Sequence, residues 1–216
     1  MAGPNWCRQK FSARYASRPH ESVHKLLRFF GWSMIVRATA AALLASISLA
    51  AQAQESKVDE LAKKGHCIPA RWESHKALLG KPAPKLELSG WVNGQLGSEE
   101  MKGKIVVIDF WATWCRPCVA QIPHNNDRAK KYADKGVLLL GVCGSGRGEK
   151  KMGDVVKEKG AAYPNARPTP ATEKAWRVSW YPMYAVVDRN GTLRALGIEP
   201  SYVEKVVDAL LEEQPK

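Results

Sequence analysis

Apolar and polar positions follow two rhythms along this chain, and the switches between them mark out the elements. The run "KIVVIDFW" (104–111) is apolar almost without a break and of strand length, as expected for a strand covered on both faces. "GVLLLGVC" (136–143) is a second such run. Between them, residues 115 to about 135 repeat at helical spacing until Gly136, and Pro123 should kink that helix because it lacks an N–H and crowds the preceding turn. "GEKKMGDVVKEKG" (148–160) predicts an amphipathic helix closed by Gly160. After a connection broken by prolines 164, 168 and 170, "TEKAWRV" (172–178) predicts a short helix. "MYAVVDRNGTLRALG" (183–197) reads as two antiparallel strands around the Arg189-Asn190-Gly191 turn. "PSYVEKVVDALLEEQ" (200–214) is a closing helix with apolar residues at 203, 206, 207, 210 and 211.

The segment before the first buried run is less regular. "ESKVDELAKKG" (55–65) predicts a short polar helix ending at Gly65, and prolines 69, 82 and 84 deny residues 66–84 any long regular structure. "KLELSGWVNGQ" (85–95) alternates and then turns at Asn93-Gly94, which predicts a hairpin. A β-α-β start and an antiparallel finish together predict an α/β fold: a central mixed sheet flanked by helices, with an N-terminal hairpin and extension. The expected organisation is a targeting region at 1–53, an extension at 54–74 and one domain over 75–216.

Charge changes the picture only at the N-terminus. The net charge is +12, but seven of the 33 Lys and Arg residues fall within 1–53 against a single acid, Glu21. Elsewhere basic residues alternate with acids, the pattern of solvated helix faces, so nucleic acid is not an expected partner. From Met34, one positive residue is followed by an apolar run from Ala38 to Ala50 and then Ala51-Gln52-Ala53. That layout predicts an export signal at 34–53 cleaved after Ala53, with an uncleaved anchor as the alternative. One reading starts translation at Met34 and leaves 1–33 outside the translated protein.

Export decides how the thiols are read. Outside the cytosol, cysteines are paired for structure or engaged in redox work. Cys115 falls where a buried parallel strand ends and a helix begins, so free N–H groups and the helix dipole favour its thiolate. Arg116 adds a positive charge beside it, and Cys118 is one turn further in, able to close a disulfide with it. Pro117 fits a first helical turn. Zinc normally needs four ligands from two such clusters, and there is no second pair, His66-Cys67 being a weak candidate; no metal is expected. Cys143, at the end of the second buried run, is a small buried apolar residue, half of a Cys67–Cys143 bridge, or a third redox thiol.

"DFWATWCRPC" resembles the active-site segment of the thioredoxin superfamily, and "KPAPKLELSGW…MKGKIVVIDFWATWCRPCVAQIP" is similar to its exported TlpA/ResA-type branch, over roughly residues 80–210. The resemblance implies a thioredoxin-like fold, a nucleophilic Cys115, a resolving Cys118, and a cis peptide at Tyr181-Pro182 whose edge pairs with substrate. Asp109 matches the buried acid of ordinary thioredoxins, and a carboxylate there can relay the proton of Cys118. Trp114 is a cleft-lining residue, and with Arg116, Tyr181 and Pro182 it makes the expected substrate surface. Gln121 departs from the Glu of cytochrome-maturation members, and Tyr181 from the usual threonine or valine, a bulk that narrows the choice of substrate.

The expected function is thiol–disulfide oxidoreduction in the periplasm, reducing disulfides of exported proteins as a monomer, without a cofactor and with electrons resupplied by a membrane thiol carrier. A disulfide oxidase or isomerase is the alternative. From another class, the domain is a thiol-tethering binding module for an apoprotein or metal-delivery partner.

Overall fold

The computed structural model describes residues 56–213; the expected signal at 34–53 and residues 1–33 lie outside them. The strands are β1 (Leu88–Val92), β2 (Ile105–Trp111), β3 (Val137–Cys143), β4 (Asn165–Pro168), β5 (Met183–Val187) and β6 (Leu193–Ile198). They form one sheet in the order β1-β4-β3-β2-β5-β6. The helices are α1 (Lys57–Lys64), α2 (Trp72–Lys76), α3 (Ser98–Met101), α4 (Arg116–Tyr132), α5 (Met152–Glu158), α6 (Pro170–Ala175) and α7 (Pro200–Glu212). β2 and β3 run parallel, as do β3 and β4, while β1, β5 and β6 are antiparallel to their neighbours. This is the mixed, helix-flanked sheet the patterning predicts.

β2 is buried along its whole length because both of its faces are used. Ile105, Val107 and Trp111 meet the inner stripe of α4 (Cys118, Ile122, Tyr132) and of α7 (Val203, Val206, Val207). Val106, Ile108 and Phe110 point the other way, into a second core with Leu140, Trp176, Met183 and Leu196. α4 continues through Pro123 as far as Tyr132, and Gly136 then takes a left-handed turn (φ 69°) to feed β3.

α1 opens with a capping box, Ser56 and Asp59 each bonding the other's backbone N–H. Its Val58 and Ala62 are fully buried in the α4/α7 core. The chain after α1 covers the outer edge of β6: Cys67 N–H donates to the Gly197 carbonyl at 2.8 Å, and Gly80 N–H to that of Leu193 at 2.9 Å. An otherwise open strand edge is thereby occupied. Among the described residues, no helix is long and apolar enough to cross a membrane.

Two expectations are corrected. The hairpin at 85–95 does not form. Asn93 and Gly94 do turn, with φ of 61° and 99°. The chain then enters α3, and β1 pairs instead with β4, more than 70 residues away. The Asn93 amide, bonded to the Ala161 and Tyr163 carbonyls just before β4, ties the turn to that partner. The Cys67–Cys143 bridge is also absent, for Cys143 is a free thiol. Its strand is three strand positions from β6, against which Cys67 lies. That separation is about 14 Å at ordinary strand spacing, against a disulfide reach of about 7 Å between Cα atoms.

Candidate active site

Parallel β2 and β3 end side by side, with Trp111 opposite Cys143, and antiparallel β5 begins at the same edge, with Met183 opposite Phe110. Crossovers thus bring three turns together: residues 112–115 after β2, the loop 144–148 after β3, and Tyr181-Pro182 before β5. The Tyr181-Pro182 peptide is cis, as the resemblance implies.

Cys115 is the N-cap of α4 and is joined to Cys118 by a disulfide with a Cα separation of 5.2 Å. The Cys118 N–H points at the Cys115 sulfur at 3.2 Å. A sulfur in this place receives a donor that the first helical turn leaves unused, the condition that favours a thiolate once the bond is reduced. In the disulfide form Cys115 is only 4% exposed and Cys118 1%. Trp114, by contrast, is 48% exposed, the one exposed large apolar side chain among the described residues. Its ring meets that of Tyr181 edge-on at 6.0 Å. Arg116 is exposed at the start of α4.

Asp109 sits in β2 on the same face as Val107 and Trp111, the face that α4 covers. It is 1% exposed. Burial pushes its carboxyl up to about 7, with the Arg128 charge and the hydrogen bond from Asn125 pulling the other way. Oδ2 accepts from Asn125 Nδ2 at 2.8 Å, while Oδ1 has no hydrogen-bond partner among the described residues. A carboxyl with one free oxygen and an affinity for protons near neutrality is suited to moving a proton.

The network around Asp109 is not among the residues that the sequence singles out. Asn125 Oδ1 accepts from Arg128 at 2.7 Å and from the Tyr184 hydroxyl at 3.2 Å, and Asn125 Nδ2 also reaches Tyr163 Oη at 3.3 Å. Arg128 donates onward to the Pro200 carbonyl at 3.0 Å. One signal points there: Asn125 lies seven residues after Cys118, on the stripe of α4 that otherwise buries Ile122 and Tyr132. Tyr163 and Tyr184 come from distant segments and carry no such mark.

Cys143 is fully buried in the same core as Cys115 and Cys118. Burial, reinforced by Glu149 and Asp109, pushes its thiol up to about 12, which makes it a neutral packing residue at ordinary pH. Among the described residues, no group of three or more His, Cys, Asp or Glu side chains is arranged to hold a metal ion.

Comparison with known proteins points the same way. The Redoxin family model matches residues 78–211. A thiol-disulfide oxidoreductase ResA of Bacillus thuringiensis is 34% identical over 68 residues, which cover 32% of this chain and 39% of that protein. The chain therefore spans about two-fifths of the length of that relative. The thioredoxin-like protein YneN of Bacillus subtilis is 26% identical over 120 residues, covering 55% of this chain and 71% of its own. Among solved structures, a putative thiol:disulfide interchange protein DsbE from Chlorobium tepidum superposes with a TM-score of 0.53 at 26% identity, over 62% of this chain and 99% of that one.

Proposed function

Because the chain belongs to the Redoxin family, we propose that it is a periplasmic thiol–disulfide oxidoreductase that reduces disulfides in exported proteins through Cys115 and Cys118. The observation that carries the reading is the disulfide spanning the first turn of α4, at the edge where β2 and β3 end, with a buried carboxyl of raised proton affinity on the face below. The names of the ResA and DsbE relatives support the activity, and the signal-like segment at 34–53 supports export.

In the reduced protein, the Cys115 thiolate attacks one sulfur of a substrate disulfide. The new Cys115–substrate bond forms as the substrate's own bond breaks, and the departing thiolate takes a proton. Asp109 accepts the proton of Cys118, whose thiolate then attacks Cys115 and expels the second substrate sulfur. That sulfur takes the proton on from Asp109, the first having taken its own from solvent. The substrate gains two electrons and two protons, and Cys115–Cys118 is left as the disulfide of this structure. The Trp114 and Tyr181 rings, Arg116 and Pro182 form the surface that meets the substrate. Return to the dithiol requires two electrons from outside the chain, supplied in this reading by a membrane thiol carrier. The protein acts as a monomer and needs no nucleic acid or cofactor.

Cys118→Ser tests this directly, because it keeps the attacking sulfur and removes the one that resolves. Incubated with periplasmic proteins, it should accumulate several mixed disulfides through Cys115 that dithiothreitol releases, whereas Cys115→Ser accumulates none. A single unchanging adduct would mean a tether, and no adduct would end the reading. A couple below about −200 mV would fit a reductase, and one near about −120 mV an oxidase.

A further inference from the structure

A second acidic side chain at this edge, Glu173 on α6, is left unused by the exchange chemistry. Its Oε1 accepts two hydrogen bonds at once, from the Tyr181 hydroxyl at 2.6 Å and from the Ser145 N–H at 2.9 Å. The first partner belongs to the turn before β5 and the second to the loop after β3. The loop is in turn locked to the residues before Cys115. Trp114 Nε1 donates to Ser145 Oγ at 2.9 Å, Thr113 Oγ1 donates to the Gly148 carbonyl at 3.1 Å, and the Arg147 guanidinium lies 4.6 Å above the Trp114 ring. One carboxylate oxygen therefore joins two turns of the site directly, and the third through Ser145.

The backbone is shaped around this oxygen. A Cβ on Gly144 would stand 2.2 Å from Glu173 Oε1 and 3.0 Å from the Tyr181 hydroxyl, so a side chain there would displace the carboxylate from this position. Ser145 itself holds a φ of 98°, a region that non-glycine residues rarely enter and that needs support from its surroundings. Through Ser145 the anchor leads to Trp114, the one exposed tryptophan among the described residues, beside a sulfur that is 4% exposed.

We propose that Glu173 is a positioning residue of the exchange site: by holding Tyr181 and the 144–148 loop against Trp114, it keeps an aromatic gate narrow over Cys115. Disulfides carried on an extended or unfolded segment pass this gate, and those embedded in a bulky folded surface do not. The inference rests on the exchange reading above and adds the substrate class.

The test compares two reagents on the reduced protein: iodoacetamide, which is small, and a polyethylene-glycol maleimide, which is bulky. Labelling at Cys115 is read by mass after digestion. Glu173→Ala should raise the bulky-to-small rate ratio about ten-fold, in line with loss of hydrogen bonds to a charged acceptor. Tyr181→Phe, which keeps the ring and loses only the hydroxyl, should raise it in the same direction by less, and it decides the matter if Glu173→Ala does not fold. Glu173→Gln keeps an oxygen able to accept both bonds and should restore the wild-type ratio, while the reduction potential stays unchanged in all three. An unchanged ratio in Glu173→Ala and Tyr181→Phe overturns the gate and leaves the exchange reading standing. So does a potential that moves together with the ratio, which would place the effect on the sulfur rather than on access. Failure of iodoacetamide to label wild-type Cys115 at all would overturn both.

Discussion

Gly197→Ala is expected to lower the stability of the fold by about 2–5 kcal/mol, from a left-handed backbone that a side chain disfavours and from overpacking. Gly197 has a φ of 74°. It is the extra residue of a bulge, because Tyr184 pairs with Ile198 and Ala185 with Leu196, leaving no partner between. A Cβ there would be 2.5 Å from His75 Nδ1 and 2.8 Å from His66 Nε2. Those two nitrogens already share a hydrogen bond at 3.0 Å, under the Trp180 ring that stacks on His75. Thermal unfolding should show the melting point falling by about 5–15 °C. An unchanged melting point would mean that the bulge and the histidine pair are not joined in solution.

The same pair gives the wild type a defined acid sensitivity. Burial, with the neighbouring His75, lowers His66 from 6.5 to about 4, and burial also lowers His75. Both folded values lie below the unfolded one, so the unfolded chain takes up protons first. The pair's contribution is therefore complete above about pH 6.5 and is lost as pH falls towards about 4. Denaturation in urea across that range reads it.

Asp109→Asn should have the opposite sign, stabilising the fold at pH 8 by about 1–3 kcal/mol. Asp109 goes from 3.8 to about 7 on folding, chiefly through burial. Its folded value is the higher one, so the wild type loses stability as pH rises from about 4 to about 7, by at most about 4 kcal/mol. Asparagine cannot ionise, which removes that loss. It also brings an amide N–H₂ to the side where Oδ1 has no partner among the described residues, and that offsets part of the gain. The advantage of the variant should be small near pH 4, grow to pH 7 and level off above. In exchange, the variant should turn over substrate disulfides at least about ten-fold more slowly, since the proton of Cys118 loses its acceptor. A variant whose advantage does not change with pH would show that Asp109 takes up its proton equally readily in the folded and unfolded chain.

The elements that were legible in the sequence are those whose burial is written in their own period. β2 and β3 are continuous apolar runs because helices cover both faces, and α7 shows its stripe at 203, 206, 207 and 210 because only one side of it meets the sheet. β4 was illegible for the opposite reason. It is four residues long, bounded by prolines 164 and 170 and ending in Pro168, and it exists because β1 and β3 supply backbone partners on its two sides. The strand that looked like half of a hairpin, β1, needed that same distant partner.

The site divides in the same way. Cys115, Cys118 and the acid at 109 stand within ten residues of one another, so strand, turn and helix geometry places them together without reference to the rest of the chain. Local order alone dictated the dithiol and the strand leading into it. Tertiary structure alone decided what surrounds them: the Asn125–Arg128–Tyr184 contacts under Asp109, the free state of Cys143, and the reach of Glu173 across two turns. Hydrogen bonds and charge in a buried space depend on distance through space, and the sheet order that sets those distances arises from long-range strand pairing that no single stretch encodes.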